Sequence, residues 1–296
     1  ILTDALESIV NVVAGGIGLY SLYIAAKPSD EDHPYGHGKA EFVSAAVEGT
    51  LIVAGGILII YETIINSLHP TPVIKLDVGL IMVAVTAAIN YVAGSVCHRI
   101  GKKNRSLALQ ATGQHLQTDT YSTLAIIAGL VIMLLTRFFW LDKIIALLMS
   151  LVIIYNGYKI VRQSLAGIMD QQDMALLNEM VTNLNKNRRV NWIDLHNFRI
   201  IKYGSQLHID CHLTVPWYLN VHEAHDEIDR LISFIQKEFG ASIEFFVHTD
   251  GCLPFSCRLC DKFTCPVREH PFEHKVEWTL ENLLSNRKHR LKQDAL

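Results

Sequence analysis

The sequence predicts an α-helical membrane bundle joined to a small α+β domain, and three observations predict it. Half of the 296 residues are hydrophobic and only 19% are charged, against about 25% in an ordinary soluble domain. The charges are also unevenly spread, with 12 acidic and 11 basic residues up to Asp170, then 17 acidic and 15 basic from Gln171 onward. Five apolar runs fill the charge-poor part, at roughly 1–27, 40–67, 76–98, 107–136 and 139–166. Each is long enough for the ~20 residues that cross a bilayer core.

Those runs are dense in Leu, Ile, Val, Ala and Gly without strand-like alternation, so helices are the expected spanning elements. Short polar connections separate them at Pro28 to Gly38, His69 to Lys75 and Gly101 to Ser106. Lys27, Lys39, Arg99, Lys102, Lys103, Arg105, Lys159 and Arg162 fall on one side of the bundle; Lys75, Arg137 and Lys143 fall on the other. The richer side is expected to be cytoplasmic, which puts the chain from Gln171 onward in the cytoplasm. Residue 1 is Ile, already inside an apolar run, with no basic n-region or small-residue cleavage site. No signal peptide is expected there, and the numbering is expected to begin inside a longer protein.

Beyond Gln171 the pattern changes. A helix over Asp173–Asn185 precedes alternating runs at Ile193–Tyr203 and Gln206–Pro216, a helix at Val221–Phe239 and a strand at Ser242–His248. This α-β-β-α-β order implies a small α+β sandwich. A Cys-rich segment and a short helix near His274–Asn286 close the chain. The expected domains are 1–170, 171–250 and 251–296. Disorder, collagen and coiled coil are excluded by composition, and a net charge of −3 gives no reason to expect nucleic acid.

Ionisable groups inside a membrane helix are costly, and each invites a functional reading. Asp4, Glu7, Ser8 and Asn11 share one helical face, and His115 and Asp119 are spaced i, i+4 in the fourth run. Two such helices would close a cage around a divalent cation. Imidazole plus carboxylate suits zinc, iron, manganese or cobalt, and tetrahedral closure favours zinc. Glu48, alone in the second run, stays open between a proton site, an interhelical hydrogen bond and a polar face.

The first cytoplasmic connection runs Ser29-Asp30-Glu31-Asp32-His33-Pro34-Tyr35-Gly36-His37-Gly38-Lys39-Ala40-Glu41. This histidine loop before a membrane helix resembles the cation diffusion facilitator family of metal/proton antiporters. His-x-x-x-Asp at His115–Asp119 and His-x-Asp at His248–Asp250 are similar to that family as well. The resemblance spans nearly the whole chain. It implies six membrane helices, of which the first is missing from the five read here, a metallochaperone-like cytoplasmic domain, and a homodimer.

Carried over residue by residue, the resemblance implies a transport site at Asp4, His115 and Asp119. The family's usual fourth ligand, an Asp, falls at Ser8, so the site has three protein ligands plus water or recruits Glu7 or Asn11. The resemblance further implies a loop metal site at Asp30, His33 and His37, and an ion pair between Lys39 and Asp170 linking the two halves. It also implies metal binding by His212, His225, His248 and Asp250 between cytoplasmic domains. His208 and His222 read as surface histidines.

Cys97 and Cys211 read as buried small side chains. The other four, Cys252, Cys257, Cys260 and Cys265, form C-x4-C-x2-C-x4-C within 14 residues. In the cytoplasm, where disulfides are disfavoured, this density reads as a structural zinc knuckle, with an iron–sulfur cluster or free thiols as alternatives. The expected protein is therefore a multi-pass, homodimeric exporter in a bilayer (a bacterial inner membrane), moving a divalent cation out of the cytoplasm against protons. Zinc is the first expectation, with iron, manganese, cobalt or cadmium behind it. The alternative is a membrane-bound metal sensor that transports little. An enzyme is not expected, because His-Glu-x-x-His and Gly-x-Ser-x-Gly motifs are lacking.

Overall fold

The computed structural model describes residues 15–68, 77–136, 141–204, 206–240 and 243–291. The chain divides into two compact units, Ile1–Met169 with Tyr203–Ser205, and Asp170–Lys202 with Gln206–Leu296.

The first unit is helical: α1 (Gly15–Ala25), α2 (Ala40–Leu68), α3 (Asp77–Lys103), α4 (Leu107–Thr136) and α5 (Leu141–Ile168). Apart from α1, each exceeds 26 residues. At 1.5 Å per residue such helices reach roughly 40 Å, more than a ~30 Å hydrocarbon core requires. Small residues decide which helices pair. A Cβ on Gly157 of α5 would lie 2.8 Å from the Gly49 carbonyl oxygen of α2, and one on Gly113 of α4 would lie 2.8 Å from the Gly94 carbonyl oxygen of α3. Without side chains at these crossings the backbones approach closely, which is how helices associate when no hydrophobic drive separates them from lipid.

Ala45, Ile52, Ala111, Ile153 and Ile160 form the buried centre of the bundle. Leu58, Tyr61, Ile64, Leu148, Leu151 and Tyr155 point outward and stay exposed. An apolar outer surface suits lipid better than water. The turn expected at Gly101–Ser106 is tighter than that, because α3 continues through Lys103. Arg105 takes a left-handed φ of 56°, and Ser106 N–H bonds the Gly101 carbonyl at 2.9 Å. Ser106 then caps α4, accepting from Leu109 N–H at 3.3 Å, and its hydroxyl donates to the buried Glu41 carboxylate of α2.

The second unit follows the expected α-β-β-α-β order: α6 (Met174–Lys186), β1 (Asp194–Tyr203), β2 (Gln206–Val215), α7 (Val221–Phe239) and β3 (Ile243–Gly251). In α6, Leu177, Met180, Val181 and Leu184 are buried at i, i+3, i+4 and i+7, an amphipathic stripe turned to the core. The sheet order is β1-β2-β3. β2 and β3 are parallel, in register from Leu207 opposite Ile243 to Val215 opposite Gly251. A parallel pair needs a crossover, and α7 supplies it, opened by a capping box between Asn220 and Glu223. Trp192, Leu195, Phe198, Ile209, Leu213 and Leu231 fill the core.

Two expectations need correction. Strand β3 extends through Gly251 rather than stopping at His248, which places Asp250 inside the strand. The final helix spans only Leu280–Leu283, not His274–Asn286. Tertiary bonds hold the preceding segment out of helix: Arg188 stacks 4.3 Å over the Trp278 ring and donates to the Val276 carbonyl at 2.7 Å. Asn185 accepts from Trp278 N–H at 3.1 Å.

Candidate metal centres

Residues Thr112, His115 and Asp119 of α4 are spaced i, i+3 and i+7 and so share one face. His115 Nε2 lies 3.3 Å from Asp119 Oδ2. Thr112 donates its hydroxyl to the buried Glu48 carboxylate of α2 at 3.1 Å, and Glu48 lies within electrostatic reach of both His115 and Asp119. Glu48, left open by the sequence, thus meets the polar face of α4 from α2. The other expected members of this site, Asp4, Glu7 and Ser8, lie outside the described residues.

The histidine loop folds around one carboxylate. Asp30 accepts from His33 N–H at 2.7 Å and meets His33 Nδ1 at 3.0 Å. His37 Nε2 approaches its other oxygen at 3.4 Å. Gly36, at φ 79°, allows the reversal that returns His37 to Asp30, and the two imidazole centroids stand 4.3 Å apart. Desolvation pushes the Asp30 carboxyl up, but the His33 amide and the two imidazoles outweigh it and hold it below the usual carboxylate range. The loop therefore presents an ionised carboxylate and two imidazoles, three ligand atoms within 4.8 Å of one another.

A second such group sits on the sheet of the cytoplasmic-type unit: His196, His212 and Asp250. Strand register sets His212 opposite His248, and β1 brings His196 to the same place. Asp250 Oδ2 lies 3.6 Å from His196 Nε2 and 3.5 Å from His212 Nδ1, and it makes no hydrogen bond among the described residues. Adjacent ligands of tetrahedral zinc are separated by about 3.4 Å given metal–ligand distances near 2.0–2.1 Å, so these residues fit such an ion. His248 Nε2 lies 3.7 Å from the other Asp250 oxygen, and Lys288 Nζ is 3.4 Å from it. Burial pushes the His196 imidazole pKa down, against the pull of Asp194 and Asp250. That favours the neutral form that binds metal.

His196 was not anticipated. The signal lay in Asp194-x-His196: alternate residues of a strand share a face, as His248 and Asp250 do. His225 stands apart on α7, 67% exposed and paired with Asp229 one turn away at 3.7 Å. His208 is a buried residue rather than a surface one, 5% exposed on β2 with Nδ1 3.0 Å from Glu244; His222 is exposed. Cys211 is buried as expected, whereas Cys97 is only half-buried. Lys39 belongs to the first unit and Asp170 to the second, and Asp170 has a left-handed φ of 56°. Cys252, Cys257, Cys260 and Cys265 are free thiols lining one small cavity.

Residues 1–169 match the family model described as the cation efflux transmembrane domain. The chain belongs to the cation diffusion facilitator family. Residues 177–252 match the cation efflux protein cytoplasmic domain, so the helical unit is the transmembrane domain of such a protein and the α+β unit its cytoplasmic domain. Among relatives, an uncharacterized transporter of Synechocystis is 29% identical over 82% of this chain and 78% of its own length. The manganese efflux system protein MneP of Bacillus subtilis is 25% identical over 84% of this chain and 86% of its own. The cation-efflux pump FieF of Shewanella oneidensis is 25% identical over 83% and 80%.

Proposed function

We propose that this cation diffusion facilitator exports a divalent transition-metal cation from the cytoplasm in exchange for protons, working as a homodimer and carrying out no covalent chemistry. The observation that carries the reading is the His115–Asp119 pair, 3.3 Å apart on a helix of the transmembrane domain. A carboxylate and an imidazole within a membrane-spanning helix are costly, and that cost argues for a functional role. Asp4 joins them as third ligand, with Ser8 or Glu7 and water completing the sphere.

Protons and metal compete for these groups, because Asp must be ionised and His neutral to ligate. A proton entering from outside discharges the cation, and rocking of helices about the site alternates its access. Zinc suits one imidazole plus carboxylates; an oxygen-richer sphere with Ser8 moves the preference toward manganese, the cargo named for the Bacillus subtilis relative. The loop set of Asp30, His33 and His37 then serves as a cytoplasmic collection point. The strand-end set of His196, His212, His248 and Asp250 binds metal that favours dimer formation by mass action.

A sensor with little transport is the second reading, and Ser8 is the feature that favours it. Reconstituted vesicles with an imposed pH gradient, tested against a panel of zinc, manganese, iron, cobalt and cadmium, separate the two. Gradient-dependent accumulation of one or more cations supports export; binding to the same preparation with no flux in any metal overturns it.

A further inference from the structure

The four C-terminal cysteines play no part in the transport reading, and the fold gathers them. Cys252 directly follows β3, and its N–H bonds the Val215 carbonyl at 2.9 Å, so the sheet carries the first thiol. Cys257 lies in the short 3-10 helix Pro254–Arg258. Cys260 N–H bonds the Cys257 carbonyl at 3.4 Å, and Cys265 N–H bonds the Lys262 carbonyl at 3.2 Å. Four thiols, none in a disulfide, line one small cavity together with Lys262 and Arg268, although no three of the sulfurs yet lie within 4.8 Å of one another.

Three further features bear on this cavity. Burial pushes the Cys252 and Cys260 thiols up, and backbone amides act against it, Lys262 N–H bonding Cys260 and Trp217 N–H bonding Cys252. Four thiolates around a 2+ ion leave a net charge of 2−, and the cavity holds two fixed cations in Lys262 and Arg268. Finally, Arg268 spends its donors on the surrounding backbone. Nη1 bonds the Cys257 carbonyl at 2.8 Å, and Nη2 bonds those of Cys260 and Lys262 at 2.8 and 2.9 Å. The cysteine loops are thus drawn around a guanidinium; Leu259 within them is buried, but Phe263 is 75% exposed. A segment so poor in apolar burial is the kind that a structural metal stabilises.

We propose that Cys252, Cys257, Cys260 and Cys265 hold a structural zinc ion in a closed thiolate site, separate from the exported cation. Closing the tetrahedron draws the sulfurs together, each to about 2.3 Å from the ion. The small cavity favours a single ion over a cluster with inorganic sulfide. The family match to the cytoplasmic domain spans 177–252, so three of the four ligands lie past it, and the site is a feature of this chain's C-terminal segment.

The test uses the full chain, purified without chelator, with zinc, iron and sulfide measured for wild type, Cys260→Ser and His115→Ala. Wild type and His115→Ala should retain about one tightly held zinc per chain that Cys260→Ser loses. Cobalt substitution should give a thiolate charge-transfer band that vanishes in Cys260→Ser. If Cys260→Ser fails to fold, alkylation of the wild-type thiols decides: the four should be protected until a chelator strips the ion. Zinc content unchanged by Cys260→Ser, iron with sulfide in its place, or thiols that alkylate freely without chelator would each overturn the proposal. Vesicle flux measured on the same preparations keeps this result separate from the transport reading, since His115→Ala tests that reading and leaves the cysteines intact.

Discussion

His115 Nε2 and Asp119 Oδ2 stand 3.3 Å apart, one turn along α4 in the transmembrane domain. Between them they offer one nitrogen and one oxygen from a single rigid element, so their separation does not depend on a loop. The buried Glu48 carboxylate of α2 accepts from Thr112 on the same face of α4 at 3.1 Å and so adjoins the pair.

Glu48 should therefore tune the affinity of the site. Glu48→Gln keeps the volume and an acceptor for Thr112 but replaces an ionisable carboxyl with a neutral amide. When ionised, a carboxylate within about 4–16 Å of the cation, at an effective dielectric of about 20, contributes on the order of 1–4 kcal/mol. We expect the metal concentration giving half-maximal flux to rise roughly tenfold while the maximal flux changes little. Unchanged half-saturation would assign Glu48 to packing alone.

In the cytoplasmic domain the geometry groups His196 with His212 and Asp250 and leaves His225 apart on α7. His196→Ala, made in a His115→Ala background to silence the transmembrane site, should weaken zinc binding by roughly a hundredfold, since it removes a ligand from a three-residue set. His225→Ala should leave the affinity within about twofold. Competition titration against a chromogenic chelator reads both. The reverse ranking would mean that a dimer partner rearranges the site.

Much of this arrangement was legible in the sequence, for physical reasons that differ by element. The apolar runs gave α2, α4 and α5 almost to the residue, because their composition is uniform and their ends are polar. The α-β-β-α-β order followed from the alternating runs and the helices read before and between them. What escaped was set by long-range pairing. His196 reaches Asp250 only because β1 flanks β2 and β2 flanks β3, which no local spacing reveals. His208 looks like any strand histidine until Glu244 arrives opposite it in the β3 register. The last helix failed because Arg188 and Asn185 compete successfully for the backbone of the segment before it.

Helix pairing in the membrane rests on missing side chains. Gly157→Ala would drive a methyl to 2.8 Å from the Gly49 carbonyl oxygen and 3.0 Å from the Val53 nitrogen, both backbone atoms that cannot swing aside. A cost of roughly 1–3 kcal/mol is expected for such overpacking, read as a lower melting temperature in detergent. Gly55→Ala on the same helix as Gly49 meets nothing within 4 Å and should be neutral or slightly stabilising. Equal effects from the two would contradict this account of the α2–α5 contact.

Acid sensitivity of the cytoplasmic domain should include a contribution from Glu227, whose side chain is 2% exposed. Burial pushes its carboxyl up, but bonds from Asn191 at 3.0 Å and Arg189 at 3.0 Å, with the charges of Arg189 and Arg230, hold it below the usual range. A depressed folded-state pKa stabilises above the unfolded value of about 4.3 and is lost as pH falls through the folded one. Glu227→Ala should cost about 2 kcal/mol at neutral pH; the two arginines are half exposed and can rehydrate, which keeps the loss moderate. Hydrogen exchange of the α7 amides measures it, and the difference from wild type should shrink below pH 4. A difference independent of pH would place the effect in packing.

The central claim, that His115 and Asp119 bind the exported cation in competition with protons, is tested most directly by zinc and manganese flux into vesicles. Wild type, His115→Ala and Asp119→Asn should be compared with the pH gradient imposed in each direction. The account predicts metal movement driven by protons flowing the opposite way, reversed when the gradient is reversed, and lost in both variants although they fold and reconstitute normally. Metal movement at wild-type rate in His115→Ala, or flux indifferent to the gradient, would contradict it.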